Sequence, residues 1–535
     1  MTATPTPGRE RAGTVRRTRT TGPAEGPSDL VVGTAAALVL FALLVVRNRW
    51  ILEGPVLVGG DVAHQFATAW DALSLRELRG NGSRTGFNHP GPSYLWIWGA
   101  VDAVRKVLGS PVEQHPAMLL GSMAFTSAQL GAVVAILRSH LRSVPRAALV
   151  VSAVVLSAGL VPFIVAGSWL PEMFLATFTL LLVAGASVAA GRLPSLVAFV
   201  VALGFLVQGH VVFVSFAAVG CVAVAVTTWR TGDLRRLVEQ ERPTLVASGA
   251  LAAAFTLPVL TYTLLDWPGE LGEYLEWSRR PESGGHSLTE AARFVLHFWP
   301  GGSARAQLAV AAASFAALAG AAWWRRSRLG WCVLGAAVLA ELCLANYVLT
   351  GLDDVAAYYV AIWMVGVPGL VGGLALALAL GDRVVAPDST AGRVAVAAVT
   401  SVVVVAVVLT APSTLHEVRD SPARFEQVYG LVDRIQSEIG SRTLVLDVSS
   451  ETLPTYWFTP ALVSVALDRG IDLCLVESSW SVKYTPERIC DEDDLRDGAP
   501  YAIYPSTEPL PPGVSAEALQ PYYSVFIGPG RRRPA

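Results

Sequence analysis

The chain has 535 residues, 53% of them hydrophobic and only 15% charged, with a mean hydropathy of +0.49 and a net charge of −2. Soluble domains carry about 25% charged residues, which excludes a soluble enzyme, a nucleic-acid binder and a disordered scaffold, and no global field points to a polyanionic partner. Of the 40 basic residues only Lys106 and Lys483 are lysines, a bias that reads as a GC-rich genome.

Residues 1–28 are rich in Pro, Gly, Thr and Arg and are expected to be a disordered tail. A membrane-spanning helix needs about 20 apolar residues. Candidates fall at 30–46, 116–138, 145–165, 171–190, 194–207, 211–229, 244–265, 307–324, 330–349, 356–380 and 393–411, eleven in all. The first is not a cleavable signal peptide: its basic n-region is long, and no small-residue cleavage site follows Arg47 to Trp50. Arginine placement orients the bundle. With the N-terminal tail inside, the short inner loops hold Arg138, Arg142 and Arg146, Arg192, Arg230 to Arg242, Arg325 to Arg328, Arg383 and Arg393. The short outer turns near 166–170, 208–210 and 350–355 hold no Lys or Arg. This is a positive-inside pattern for eleven spans with the C-terminus outside.

Segment 93–108 would invert every later loop if it crossed, and it carries Asp102, Arg105 and Lys106. It is expected to lie in the outer interface as an amphipathic helix, with Tyr94, Trp96 and Trp98 at headgroup depth. The outside then receives a first loop at 47–115, a second at 266–306 and a tail domain at 412–535. In the tail, 421–439 reads as a helix, and 443–448, 471–477, 501–505 and 522–528 read as strands of a small α/β domain. Cys221, Cys332 and Cys343 sit in apolar runs as small hydrophobes. Cys474 and Cys490 are available to pair if the tail is outside. No CxxC, HExxH, Walker A or GxGxxG motif occurs.

The first loop contains Gly59-Gly60-Asp61 followed by a helical pattern. Asp61, His64, Thr68 and Asp71 share one face, expected toward an aqueous cleft; Val62, Phe66, Ala69 and Leu73 share the other. Asp61 reads equally as a helix N-cap and as a catalytic acid. Next comes Ser83-Arg84-Thr85-Gly86-Phe87-Asn88-His89-Pro90-Gly91-Pro92, an irregular loop holding Arg84 and His89 at headgroup level, where an arginine fork suits phosphate. The outer turns add Trp169 and Glu172, Gln208 and His210, and Asp353, Asp354 and Tyr358. His210 reads as a packing residue or a site residue, and Glu172 as a helix N-terminal acid or a site residue. A transporter would instead place its ionisable groups near the midplane, and Glu341 is the strong acid well inside a span.

This organisation resembles the GT-C superfamily of membrane glycosyltransferases, from residue 30 to the C-terminus. The resemblance rests on the inside N-terminus, the long first outer loop, the odd span count and the outer tail, with Asp61 where the family places its catalytic carboxylate. The HPGP loop and the Trp-x-Pro and Gln-x-His turns resemble actinobacterial membrane proteins of this type. Val62 follows Asp61 where many members have a second acid, which makes Asp71 the candidate second acid. The resemblance implies a GT-C-like α-helical polytopic protein in the cell membrane. It implies a polyprenyl-phosphate sugar donor, a glycan or lipid acceptor in the cell envelope, and inversion at the sugar. It assigns Asp61 as general base, and Arg84, His89, Arg279 and Arg280 to the donor phosphate. No ligand spacing demands a metal, although a divalent ion is compatible with the reading. The other reading is a non-enzymatic membrane protein, either a lipid or polysaccharide exporter or a scaffold.

Overall fold

The computed structural model describes residues 28–54, 56–83, 86–159, 165–280, 285–381, 422–448, 452–478, 484–510, 516–518 and 525–530. The N-terminal tail before Ser28, Arg84 and the expected span at 393–411 lie outside the described residues.

Among the described residues, eight helices are long and apolar enough to cross a membrane. They are α1 (Asp29–Arg47), α4 (Gln114–Leu141), α6 (Leu170–Ala189), α8 (Phe213–Arg230), α10 (Arg242–Leu265), α13 (Ala304–Arg325), α14 (Arg328–Thr350) and Tyr358–Leu380, which opens as a 3-10 turn and continues as α15 (Gly366–Leu380). Two shorter apolar helices, α5 (Val144–Ala158) and α7 (Ser195–Gly209), match two further expected spans. Thus ten of the eleven expected spans have a helical counterpart. Helices α6 and α15 form the protein-packed centre, while α8, α10 and α13 leave most of their surface outward, as lipid-facing helices do.

Local chemistry sets the ends and the contacts. Ser28 Oγ accepts from Val31 N at 3.3 Å and starts α1, with Asp29 in its first turn and Arg47 in its last. Asp29 pairs with Arg138 of α4. The two helices touch where Gly33 faces Gly131: a Cβ on Gly131 would lie 2.5 Å from the Gly33 carbonyl oxygen. Small residues allow such backbone approach where lipid provides no hydrophobic drive.

The first loop holds α2 (Gly60–Leu73) and α3 (Ser93–Val107). Helix α3 does form, and its aromatic residues are packed into the protein. Tyr94 is buried against Phe125, Phe174 and Phe205, and Trp98 is buried with its Nε1 donating to Ser122 Oγ at 2.8 Å. Trp96 is half-buried and donates to the Ala72 carbonyl at 3.2 Å. The aromatic stripe is core because α3 sits on α2, α4 and α7 rather than on lipid. Short helices α9 (Asp233–Gln240), α11 (Gly269–Trp277) and α12 (Leu288–Leu296) fill the connections.

The tail contains α16 (Pro422–Ile439), α17 (Leu453–Asp468) and α18 (Glu492–Asp497) beside a five-stranded sheet. Its strands are β1 (Leu444–Val448), β2 (Leu473–Leu475), β3 (Ala499–Pro505), β4 (Glu517–Ala518) and β5 (Val525–Pro529), in the order β2-β1-β3-β5-β4. Central β1 runs parallel to β2 and β3, with Leu446 opposite Leu475 and Tyr501, and β5 closes antiparallel to β3. All four expected strands are present. Helices α17 and α18 and the short β4 were not expected. Cys474 and Cys490 form a disulfide.

The tail packs on the first loop. Ser464 of α17 bonds His115 Nε2 at 2.7 Å and Gln114 Oε1 at 3.1 Å, and Arg105 bridges Asp102 and Asp468. Gly60, at φ +56°, turns the chain into α2 beneath Trp457. An L-residue is strained at that φ, and a Cβ would sit 3.2 Å from the indole.

Candidate active site

A cavity of about 740 Å³ opens at the end of the bundle where α6 and α7 meet the first loop and the tail. Asp61, in the first turn of α2, is exposed at its wall. The N-cap reading of Asp61 does not hold: Gly59 occupies that position. Asp61 Oδ2 instead accepts from Trp169 Nε1 at 3.0 Å, and Oδ1 accepts from the Tyr456 hydroxyl of α17. Trp169 is in turn packed on Tyr359, ring centres 5.3 Å apart. The carboxylate is thus aimed by two neutral donors from two separate parts of the chain. A carboxylate has about four lone-pair sites, so acceptor capacity remains toward the cavity. Burial, then the Asp61 charge, push the Tyr456 phenol well above its ordinary range, so it stays a donor.

The second wall is made of two short paired segments, 80–83 and 86–91. Gly80 N donates to the His89 carbonyl and His89 N to the Asn81 carbonyl, both at 2.8 Å, and Ser83 N donates to the Phe87 carbonyl at 2.7 Å. Glu270 of α11 clamps its far side: Oε2 accepts from Asn88 N at 2.8 Å and Oε1 from Asn88 Nδ2 at 3.1 Å. Tyr274 donates to the Asn88 carbonyl at 2.6 Å. Burial raises the Glu270 carboxyl above its usual value despite these bonds. Gln208 holds the exit of this wall, accepting from Ser93 N at 2.9 Å and donating to the Phe255 carbonyl. Gly91 is required there, since a Cβ would fall 2.7 Å from Gln208 Cδ.

This clamp puts the buried His89 ring against His210, centres 4.2 Å apart, both at the cavity wall. Burial, then the neighbouring His210, hold the His89 imidazole well below its ordinary value, so the ring is neutral. His210 Nδ1 accepts from Val212 N at 3.1 Å, which makes it both a turn-forming and a cavity residue. Asp353 and Trp169 also line the space. The rest of the wall is largely apolar, with Leu170, Phe174, Val211 and Val214 on the bundle side.

Other expected site residues sit elsewhere. The polar face of α2 does not meet water along its length, because the tail covers it. His64 packs edge-on against Tyr484 at 4.4 Å, and Thr68 bonds back to the His64 carbonyl at 3.0 Å. Asp71 is buried, paired with Arg76 at 2.9 Å and Arg488 at 3.2 Å and bonded by Thr485. Glu172 accepts from Trp169 N at 3.2 Å and so serves as a helix N-terminal acid. Asp354 accepts from Ala356 N at 2.8 Å, and Tyr358 stacks on His297 at 3.7 Å. Arg279 and Arg280 are exposed beyond the cavity wall, with Arg280 paired to Glu276 at 2.6 Å. Glu341 lies inside α14 and accepts from Trp299 Nε1 at 3.0 Å, away from the cavity. Among the described residues, no three His, Cys, Asp or Glu side chains gather as a metal site. Sequence reasoning missed Tyr456 and Gln65 at the wall and Glu270 behind it.

No protein-family model and no curated protein matches the chain. Its structure superposes on that of ArnT from Cupriavidus metallidurans, solved bound to undecaprenyl phosphate. The TM-score is 0.57 over 93% of this chain and 97% of that one, at 14% identity. The chain has an ArnT-like fold built on many apolar helices. It is a multi-pass membrane protein, and the likeness extends over the span bundle and the tail together. At 14% identity the fold is shared while the side chains of the cavity are this chain's own.

Proposed function

We propose that this chain is a membrane glycosyltransferase that moves a sugar from a polyprenyl-phosphate donor to an extracytoplasmic glycan or lipid acceptor. One observation carries the reading. An aimed, exposed carboxylate, Asp61, faces a cavity of about 740 Å³ with a largely apolar bundle-side wall, on the fold of a structure that holds undecaprenyl phosphate.

In this reading the apolar wall takes the first part of the polyprenyl chain. Asp61 accepts the proton of the acceptor hydroxyl, which needs a base within hydrogen-bond reach. The acceptor oxygen attacks the anomeric carbon, the bond from that carbon to the phosphate oxygen breaks, and polyprenyl phosphate leaves with the electron pair. A single displacement inverts the sugar. His89 and His210 supply N–H donors at the wall for the phosphate, an electrostatic contribution to the leaving group. Arg84, which falls in sequence between the two described segments of this wall, is assigned the same task. Arg279 and Arg280 do not line the cavity, and Arg280 sits 5.8 Å from the ring centre of Trp277, which does, so neither is given this task.

The reading also puts the cavity and the tail outside the cytoplasm. The arginine-free outer turns and the Cys474–Cys490 disulfide support this side. Reporter fusions after residues 112 and 420 are expected to signal outside, and one after 143 inside. An outside signal at 143 overturns the orientation. The direct test of activity is sugar transfer from a polyprenyl-phosphate donor by purified protein in lipid. Transfer by the native chain that persists in a folded Asp61→Asn variant would reject Asp61 as the base.

A further inference from the structure

The base of the transfer reading sits on the first loop, but one of the two donors that aim it comes from the tail. Tyr456 is 395 residues from Asp61 in sequence, and its placement is fixed twice over. Within α17 it lies in the first turn: Thr452 caps the helix, Thr452 N donates to Thr455 Oγ1 at 2.9 Å, and Tyr456 N donates to the Thr452 carbonyl at 2.9 Å. Against the first loop, the next residue, Trp457, presses on the turn that opens α2. A Cβ on Gly59 would fall 2.8 Å from the Trp457 carbonyl oxygen, so the two backbones meet where a side chain has no room. Farther along α17, Ser464 bonds His115 and Gln114, and Asp468 pairs with Arg105. From Tyr456 to Asp468 these contacts run along roughly 18 Å of helix. Helix α17 is therefore seated on the first loop over most of its length.

A plainer role for Tyr456 is to fill the cavity wall, with its hydroxyl taking the nearest acceptor. That role is met without Asp61, because a half-buried phenol at the wall of an open cavity is also satisfied by water. The carboxylate is the group that gains from the contact. Asp61 is exposed in the first turn of α2, where a side chain held at one atom still turns about its own bonds. Trp169 Nε1 reaches Oδ2, and the Tyr456 hydroxyl reaches Oδ1. One donor on each oxygen fixes the carboxylate plane, and with it the direction of the lone pairs that remain toward the cavity. The span bundle supplies the Trp169 donor alone, so the second oxygen is held only once the tail is in place.

We propose that Tyr456 is a positioning residue of the transfer reaction, so that the tail completes the active site by docking on the first loop. This rests on the reading of Asp61 as the base. Tyr456 keeps its own proton throughout. It sets where a remaining lone pair of Asp61 meets the acceptor hydroxyl, and a misplacement of about 1 Å there costs about 10²-fold in rate. A bundle whose tail has not docked is then a slow enzyme.

Tyr456→Phe keeps the ring and removes the donor. The purified full chain in lipid is given polyprenyl-phosphate pentoses and hexoses radiolabelled in the sugar, with cell-envelope lipid and glycan as acceptors, and kcat and KM are read for the pair that transfers. In Tyr456→Phe, kcat is expected to fall about 10–10²-fold, with KM near native and the melting temperature little changed. In an Asp61→Asn background, where no base is left to aim, the same substitution should add no further loss, because residues that act through one another are not additive. Tyr429→Phe is the control. It removes another tail hydroxyl bonded to the first loop, at the Val56 carbonyl 3.4 Å away and outside the transfer cavity, and should leave kcat near native. Native kcat in Tyr456→Phe, a change in KM alone, an equal fall in Tyr429→Phe, or losses that multiply with Asp61→Asn would each overturn the positioning role and leave the transferase standing. Absence of transfer by the native chain with every donor would overturn the transferase reading, and this inference with it.

Discussion

The two ends of helix α2 carry an aspartate each, and their surroundings differ in kind. Asp61 is exposed, held by the neutral donors Trp169 and Tyr456, with one side open to the cavity. Asp71 is buried and faces two guanidinium groups and a threonine hydroxyl. Neutral donors aim a carboxylate yet leave it able to take a ligand's proton. Cationic donors consume its lone pairs and tie it to another part of the chain. Asp71 fastens the tail to the first loop, through Arg488 and Thr485, and Asp61 is the acid with a side open to the cavity. The two had looked alike because they follow the same helical spacing.

The sharpest way to break this contrast is to neutralise each acid in turn. Asp61→Asn keeps the size, its one oxygen can accept from Trp169 Nε1 and its amide can donate to the Tyr456 hydroxyl oxygen, so the melting temperature should change little. Turnover should fall by about 10²–10⁴-fold, the usual contribution of a general base. Asp71→Asn should do the reverse. Removing one partner from a buried ion pair costs about 3–5 kcal/mol, and Arg76 and Arg488 retain some solvent, so about 3 kcal/mol is expected. A chemical-denaturation midpoint checks it. Turnover per folded molecule should persist in Asp71→Asn; its selective loss in a stable protein would move the base to this second acid.

What was legible in the sequence follows the same division. Hydropathy alone located ten helices, because a run of apolar residues near 20 long has few other solutions. Strands β1, β2, β3 and β5 were legible from short β-rich runs between turns. Helix α17 was not. Its sequence, LPTYWFTPALVSVALD, carries Pro460 and has no polar face, since the sheet and the first loop bury most of it. Without periodicity the segment offers no helical signal, and Tyr456, the residue that reaches Asp61, went unread with it. The outward appearance of α2's polar face failed for a related reason: the pattern shows which residues share a face, and a domain more than 400 residues later decides what covers it. Glu270 was hidden differently, as one acid among several in GELGEYLEW.

Glu270 offers a smaller test, because it supports the cavity from behind. Glu270→Ala leaves Asn88 N and Nδ2 without their acceptors, which costs about 1–3 kcal/mol for buried donors. Glu270→Gln should recover most of that. Its oxygen can still accept from Asn88 N, and a flipped Asn88 side chain can present Oδ1 to the new amide. The pair of melting temperatures checks the clamp. Equal losses in both variants would show that the carboxylate charge, and not the hydrogen-bond pattern, holds this wall.

The last test concerns His89, where the expected effect is smallest and its sign is fixed. In the folded chain the imidazole is held well below its ordinary value by burial and by His210. In the unfolded chain it titrates near 6.5. Above that pH neither state holds the proton, and His89 adds no slope. Below it the unfolded state binds a proton that the folded state does not, so stability falls as pH falls, by up to about 1.4 kcal/mol per pH unit, until the folded value is reached. His89→Gln removes this loss. Melting temperatures from about pH 7.5 to about pH 5 should therefore drop more steeply for the native chain than for the variant. A polyprenyl phosphate bound at this wall would favour the protonated ring and flatten the native profile toward that of the variant. Parallel profiles without ligand would show that His89 titrates alike in the folded and unfolded chain, and the wall would then carry an imidazole that gains its charge near the ordinary value instead of one held neutral.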